Sequence, residues 1–274
     1  MTHSRPTVRE LLTSRGLAPR RDLGQNFVAD PNTVRRIANL AAVGAGDHVV
    51  EIGAGLGSLT LALAETGAAV TAVEVDHGLV GALREVVADV PGVRVVEADA
   101  MALDWDALLE GRPGWVLVAN LPYNVATPIV VESLDGLPSI DRWCVMVQRE
   151  VADRFFARPG TKAYGAVSVL MQLATERTGF HAVSREVFRP RPNVDSALVA
   201  FRRVGLPVDY TRVKTIVEGA FAHRRKTLPN SLALSAIATR TEAEEALRSL
   251  GHEPATRAEA LEPDEFVALA EALH

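Results

Sequence analysis

The chain has 274 residues, 48% of them hydrophobic, and a formal net charge of −5. That length suits one large domain and a small one, the composition argues against disorder, and no apolar run approaches the roughly 20 residues that cross a bilayer. The single cysteine, Cys144, lies between Trp143 and Val145, so it reads as a buried, inert thiol in a reducing, cytoplasmic setting.

The net charge hides a gradient. Residues 1–140 hold ten Lys/Arg against seventeen Asp/Glu, whereas residues 141–204 hold eleven against six. Phosphate binding follows local potential, so a nucleic-acid partner stays open. Met1 to Arg21 is Arg-rich without an apolar stretch, which excludes a secretory signal; residues 1–30 read as a flexible lid segment. Within it, Gln25-Asn26 beside Phe27-Val28 reads as a lid over a ligand or a surface turn. Asp30-Pro31 then opens a helix as N-cap and first residue, with Val34, Ile37, Ala38 and Ala41 on one face.

His48–Ile52 is a strand that flows into Gly53-Ala54-Gly55-Leu56-Gly57 and a helix over 59–64. Strand, glycine turn and helix form a nucleotide-binding arrangement, but Ser58 stands where a dinucleotide fingerprint has its third glycine, which disfavours NAD. The strand at 69–76 carries Glu74, 21 positions after Gly53, at the spacing of an acid that accepts from a ribose diol. After a helix over 78–88, the strand at 93–99 ends on Asp99, an acceptor for an adenine amino group or a cap for the next turn. Trp115–Val118 runs into Ala119-Asn120-Leu121-Pro122-Tyr123-Asn124, where proline must end the strand. Gly53, Glu74, Asp99 and Asn120 therefore sit at the ends of four successive strands, on the edge where open α/β sheets bind ligands.

A helix over 127–134 and a strand over 143–148 follow. An amphipathic helix over 148–157 then bears Arg149 and Arg154, and a basic loop over 158–165 leads to a helix over 166–175. Alternation marks strands over 183–188 and 197–202. Between them, Phe188-Arg189-Pro190-Arg191-Pro192-Asn193 is extended and stiff. It offers a ring and two guanidinium groups to stacked bases and phosphates, unless Phe188 is tucked into the core. Gly205-Leu206-Pro207 reads as a linker to helices over 211–222, 228–236, 241–250 and 263–273. His223-Arg224-Arg225-Lys226 between the first two suits a phosphate backbone or a helix C-terminus. No His/Cys/Asp cluster has metal-ligand spacing.

Leu23-Gly24-Gln25-Asn26-Phe27, Glu51-Ile52-Gly53-Ala54-Gly55-Leu56-Gly57, Asn120-Leu121-Pro122-Tyr123, the Phe188–Ser196 stretch and His223-Arg224-Arg225-Lys226-Thr227 together resemble the rRNA adenine N6,N6-dimethyltransferases, most closely the bacterial small-subunit (16S) branch. Val28, where leucine is usual, and Pro229 depart from the pattern. The resemblance implies an α/β, Rossmann-like S-adenosylmethionine-dependent methyltransferase domain over 1–204, followed by a small all-helical RNA-binding domain over 205–274. It implies cofactor contacts at Asn26, Val28, Gly53, Gly55, Glu74, Asp99 and Asn120, and a target-base pocket at Asn120, Leu121, Pro122, Tyr123 and Phe188. RNA contacts are expected at Arg149, Arg154, Arg189, Arg191, Arg224, Arg225 and Lys226. The implied partner is 16S rRNA in the immature small ribosomal subunit, met by a monomer without metal or membrane. A large-subunit (23S) enzyme of the macrolide-resistance type and a mainly non-catalytic assembly factor are the rival readings.

Overall fold

The computed structural model describes residues 2–20, 23–122 and 125–273. In chain order the elements are α1 (Arg5–Ser14), β1 (Phe27–Val28), α2 (Pro31–Ala41), β2 (His48–Ile52), α3 (Ser58–Ala64), β3 (Ala69–Glu74), α4 (His77–Val86), β4 (Val93–Glu97), α5 (Trp105–Leu109), β5 (Trp115–Asn120), α6 (Ala126–Gly136), β6 (Ile140–Gln148), α7 (Arg149–Phe155), α8 (Ala166–Ala174), β7 (Thr175–Val183), β8 (Phe188–Arg189), β9 (Ser196–Arg203), α9 (Tyr210–Ala222), α10 (Leu228–Leu234), α11 (Arg240–Ser249) and α12 (Pro263–Ala272). Chain contacts divide it into two units, Met1–Ala152 with Arg177–Arg203, and Asp153–Glu176 with Val204–His274.

The first unit is built on a seven-stranded sheet of order β4-β3-β2-β5-β6-β9-β7. β2, β3, β4, β5 and β6 run parallel, and β9 lies antiparallel to β6. Their near-continuous apolar runs are what a sheet covered on both faces requires. Val116, Val118, Cys144, Met146, Leu198 and Ala200 pack with Ile37 of α2 and Leu63 of α3. On the other face Trp143 stacks on Phe201 at 5.2 Å, and its indole N–H donates to Ser133 of α6 at 2.9 Å. The Cys144 thiol is fully buried and pushed up to about 12 by that burial, which makes it unreactive. Asp30 caps α2 as expected, accepting from the Thr33 N–H at 2.9 Å. Strand order reverses between β2 and β5, so the crevice at their carboxyl ends is the natural ligand site of such a sheet.

Three expectations are corrected. Within residues 1–30, expected as a flexible lid segment, the described part carries a helix: Ser4 caps α1, and Val8 is buried with Leu56, Leu79 and Ala82; one short apolar cluster at Val8, Leu11 and Leu12 is too brief a periodicity to read. The strand expected over 183–188 lies earlier, at β7; Ser184 then caps a single 3₁₀ turn over Arg185–Val187. β7 is a sheet edge with a largely exposed pattern, and no apolar residue precedes Phe180 in it, so hydrophobic alternation does not mark its start. The division at 204 is also incomplete, because Asp153–Glu176 belongs with the helical unit and no linker composition announces the crossing within α7.

The helical unit closes around Phe266, Leu269, Leu228, Leu232 and Leu247, all buried. Phe221 lies between Tyr164 and Phe266 with centroids 5.9 and 5.7 Å away, and the Tyr164 hydroxyl donates to the Leu261 carbonyl at 2.8 Å. Pro229 falls in the first turn of α10, where a missing N–H costs nothing.

Candidate active site

A cavity of about 250 Å³ opens at the carboxyl edge of the sheet. Asn26, Val28, Gly53, Gly55, Glu74, Asp99 and Asn120 all line it, as do Leu121 and Pro122. Register explains the convergence. Ile52 pairs with Ala119 and with Val73, which sets Gly53, Glu74 and Asn120 side by side, and Glu74 pairs with Glu97, two residues before Asp99.

The turn after β2 needs glycine at two positions. Gly55 has φ +58°, and a Cβ there would press on the Phe27 ring at 3.2 Å. Gly57 has φ +83°, and its Cβ would meet Leu83 at 2.8 Å, so the glycine lets α3 start against α4. Glu74 holds this turn: Oε2 accepts from the Gly55 N–H at 2.8 Å, and Oε1 from those of Val75 and Asp76 at 3.0 and 2.9 Å. Burial pushes the Glu74 carboxyl above its ordinary range, while those backbone N–H groups pull it back.

Asn120 ends β5, and its side-chain nitrogen donates to the Asn26 carbonyl at 3.0 Å. That leaves the amide oxygen as the acceptor this side chain can present to a ligand. The Pro122 carbonyl is already engaged by the Val125 N–H at 3.1 Å. Gln25 fixes the covering segment, donating to Asp76 at 2.9 Å and accepting from the Arg20 N–H at 2.8 Å. β1 pairs with β8, Phe27 opposite Arg189 and Val28 opposite Phe188. Phe188 is 1% exposed, in the core with Val34 and Met146, and does not line the cavity. Tyr123 lies outside the described residues.

The model of the ribosomal RNA adenine dimethylase family matches residues 16–274. The chain belongs to that family. A ribosomal RNA small subunit methyltransferase A from Rubrobacter xylanophilus is 48% identical, over 94% of this chain and 96% of its own. The crystal structure of a dimethyladenosine transferase from Plasmodium falciparum shares the fold, with TM-score 0.73 at 21% identity over 88% of this chain and 94% of that one. The crystal structure of the 23S rRNA methyltransferase ErmE matches with TM-score 0.65 at 29% identity, over 90% of this chain and 99% of that one.

As a dimethylase the chain uses S-adenosylmethionine and acts on rRNA. The cavity suits that cofactor: two carboxylates at strand ends, a glycine-rich turn and apolar walls at Val75, Met101 and Leu121 suit a nucleoside. Sequence reasoning missed Phe27, His3 and Glu51 as lining residues. Phe27 had a signal in the glycine it covers; His3 and Glu51 had none beyond adjacency to the motifs.

Glu51 is 1% exposed, and its carboxylate oxygen accepts from the Thr60 hydroxyl at 2.6 Å. Burial, with Glu74 nearby, pushes its carboxyl up to about 8. The folded chain thus keeps a proton that the unfolded chain loses near 4.5, so this group costs stability progressively as pH rises from about 4.5 to about 8. Glu51→Gln keeps the acceptor for Thr60 without the titration. In urea unfolding between about pH 5 and 8 the variant is expected to gain on the wild type by up to about 1.4 kcal/mol per pH unit. Parallel pH profiles would show that Glu51 does not titrate in this range.

The expected RNA-facing cations fall in both units. In the first, Arg149 is exposed and lies 5.1 Å from the centroid of the Phe180 ring, Arg189 donates to the Phe188 carbonyl at 2.7 Å, and Arg191 pairs with Glu186 at 2.7 Å. In the helical unit, Arg154, Arg225 and Lys226 are exposed. Arg224 donates to the Tyr164 carbonyl at 2.9 Å and lies 3.8 Å from Glu259, which makes it a structural tie as well.

Proposed function

We propose that this chain dimethylates the N6 amino groups of two adjacent adenosines, in a hairpin loop near the 3′ end of 16S rRNA, within the immature small ribosomal subunit in the cytoplasm, and that it works as a monomer. The observation that carries the chemistry is the Asn120 amide, held by its nitrogen to the Asn26 carbonyl at the sheet edge shared with Gly53 and Glu74. The 42–48% identity of the small-subunit relatives over nearly the whole chain supports 16S over 23S rRNA.

Asn26, Val28, Gly53 and Gly55 would hold the cofactor by backbone approach, Glu74 by its ribose hydroxyls and Asp99 by its adenine amino group. When bound, S-adenosylmethionine supplies a methyl already activated on a sulfonium. The difficulty is the adenine nitrogen, whose lone pair is conjugated with its ring. The Asn120 oxygen and the Leu121 carbonyl accept its two N–H bonds, which favours a pyramidal nitrogen and stabilises the positive charge that develops there. Pro122 stiffens the acceptor turn, and Tyr123 supplies a ring for the base to stack on, worth ~1–3 kcal/mol. Phe188, buried and joined to the covering segment through β8, would stack only after leaving the core; in the present arrangement it braces β1 instead. The target base must leave its own stack to arrive, as in other base-modifying enzymes. Arg149, Arg154, Arg189, Arg191, Arg225 and Lys226 would grip the phosphate backbone, with Arg224 shared between RNA and fold.

The test is methyl transfer to isolated small and large subunits from a strain lacking the protein, with mass spectrometry of the rRNA. Two dimethylated adenosines in 16S rRNA are expected; transfer confined to 23S rRNA would sink the reading. If a chain that cannot transfer methyl groups restored growth of that strain as fully as the wild type, the assembly role would be the dominant one.

A further inference from the structure

Residues ahead of α1 reach the cofactor cavity. His3 is 7% exposed and lines it, together with Val8 at 2%. The His3 Nε2–H donates to the Leu56 carbonyl at 2.8 Å, and the His3 backbone N–H donates to the Ser58 hydroxyl oxygen at 3.1 Å. Leu56 and Ser58 flank Gly57, so one residue ties the glycine turn at two points. Burial holds the His3 pKa below its ordinary value, so the ring stays neutral, and donation to a carbonyl selects the Nε2–H tautomer.

α1 secures this contact. Val8, Leu11, Leu12 and Leu17 pack against Leu56, Leu79 and Ala82. Arg5 donates to the Glu186 carbonyl at 2.6 Å, and Arg15 pairs with Glu85. A ten-residue helix is marginal by itself, so α1 persists through this packing.

We propose that residues 2–15 complete the cofactor site as a strap, with His3 the positioning residue that holds the glycine turn against the bound cofactor and slows its release. The inference rests on S-adenosylmethionine as cofactor, and S-adenosylhomocysteine serves as the probe.

The experiment measures the dissociation rate of S-adenosylhomocysteine by stopped flow from the full chain and from His3→Ala, His3→Gln and Ser58→Ala. His3→Ala and Ser58→Ala are each expected to speed release by up to about tenfold, the scale of one buried hydrogen bond. His3→Gln, which keeps an N–H donor at similar reach, is expected to restore most of the lost retention. Thermal melts without ligand separate this from unfolding, because a merely destabilised chain is not rescued by glutamine in release rate alone. Unchanged release in His3→Ala, or His3→Gln as fast as His3→Ala, would overturn the proposal. Failure of the wild type to bind the probe would instead overturn the cofactor assignment.

Discussion

Asn120→Ala is expected to lower single-turnover methyl transfer to small subunits by ~10²–10³, the effect of deleting one preorganised polar group at a reacting centre. The residue sits where sheet and turn meet, and its nitrogen is spent on the Asn26 carbonyl. Alanine therefore removes the acceptor for the adenine N–H and also leaves that carbonyl without its donor. Cofactor affinity is expected to fall by less than tenfold, because Gly53, Glu74 and Asp99 are untouched. Asn120→Asp sharpens the test. It supplies a stronger acceptor but cannot donate to Asn26, so its oxygen is repelled from the place where the amide nitrogen sits. If geometry controls the rate, aspartate is nearly as slow as alanine. If acceptor strength alone controls it, aspartate is faster than alanine by a wide margin. Wild-type turnover in Asn120→Ala would remove the residue from the chemistry altogether.

The parts of this molecule legible in the sequence are those written by local rules. Proline after Leu121 ends β5, Asp30-Pro31 starts α2, and glycines mark the turn after β2; each is a backbone constraint that a single residue carries. Glu74 and Asp99 were readable because parallel strands of similar length bring their ends to one edge. What stayed hidden depends on contacts distant in sequence. α1 is stable only because Leu56 and Leu79 receive it. The union of Asp153–Glu176 with the later helices rests on contacts such as Tyr164 with Leu261, 97 positions apart. The resemblance places Phe188 in the base pocket, whereas its burial comes from α2, β6 and β9 closing around it, a property of no local pattern.

The Asn26 carbonyl joins the covering segment to the end of β5. Asn26 precedes β1, whose partner is β8, and the Asn26 side chain donates to the Gly24 carbonyl at 2.9 Å. The covering segment is thereby held at Gln25, Asn26 and Val28, and its carbonyl orients the Asn120 amide. Preorganised dipoles act on the transition state because their orientation has been set by folding.

Glu74→Ala is expected to weaken cofactor binding by at least ~10²-fold and to lower stability by several kcal/mol, at ~1–3 kcal/mol for each buried donor left unmet. Glu74 is 5% exposed and accepts from three backbone N–H groups, those of Gly55, Val75 and Asp76. Without it the Gly55 N–H loses its acceptor, and the turn is held only by its backbone bonds and by His3. Glu74→Gln is the more informative variant. A carboxylate offers acceptors on both oxygens, whereas an amide offers one oxygen and one NH₂ group. Either orientation of the glutamine sets its NH₂ against at least one of these N–H donors, so glutamine is expected to lie closer to alanine than to wild type in calorimetric titration with S-adenosylhomocysteine. Burial alone would favour the neutral acid at this position, and a neutral acid resembles glutamine. A glutamine variant that bound and melted like the wild type would therefore mean that Glu74 is protonated in the folded chain. A glutamine variant that failed would mean that the three backbone donors need both side-chain oxygens as acceptors.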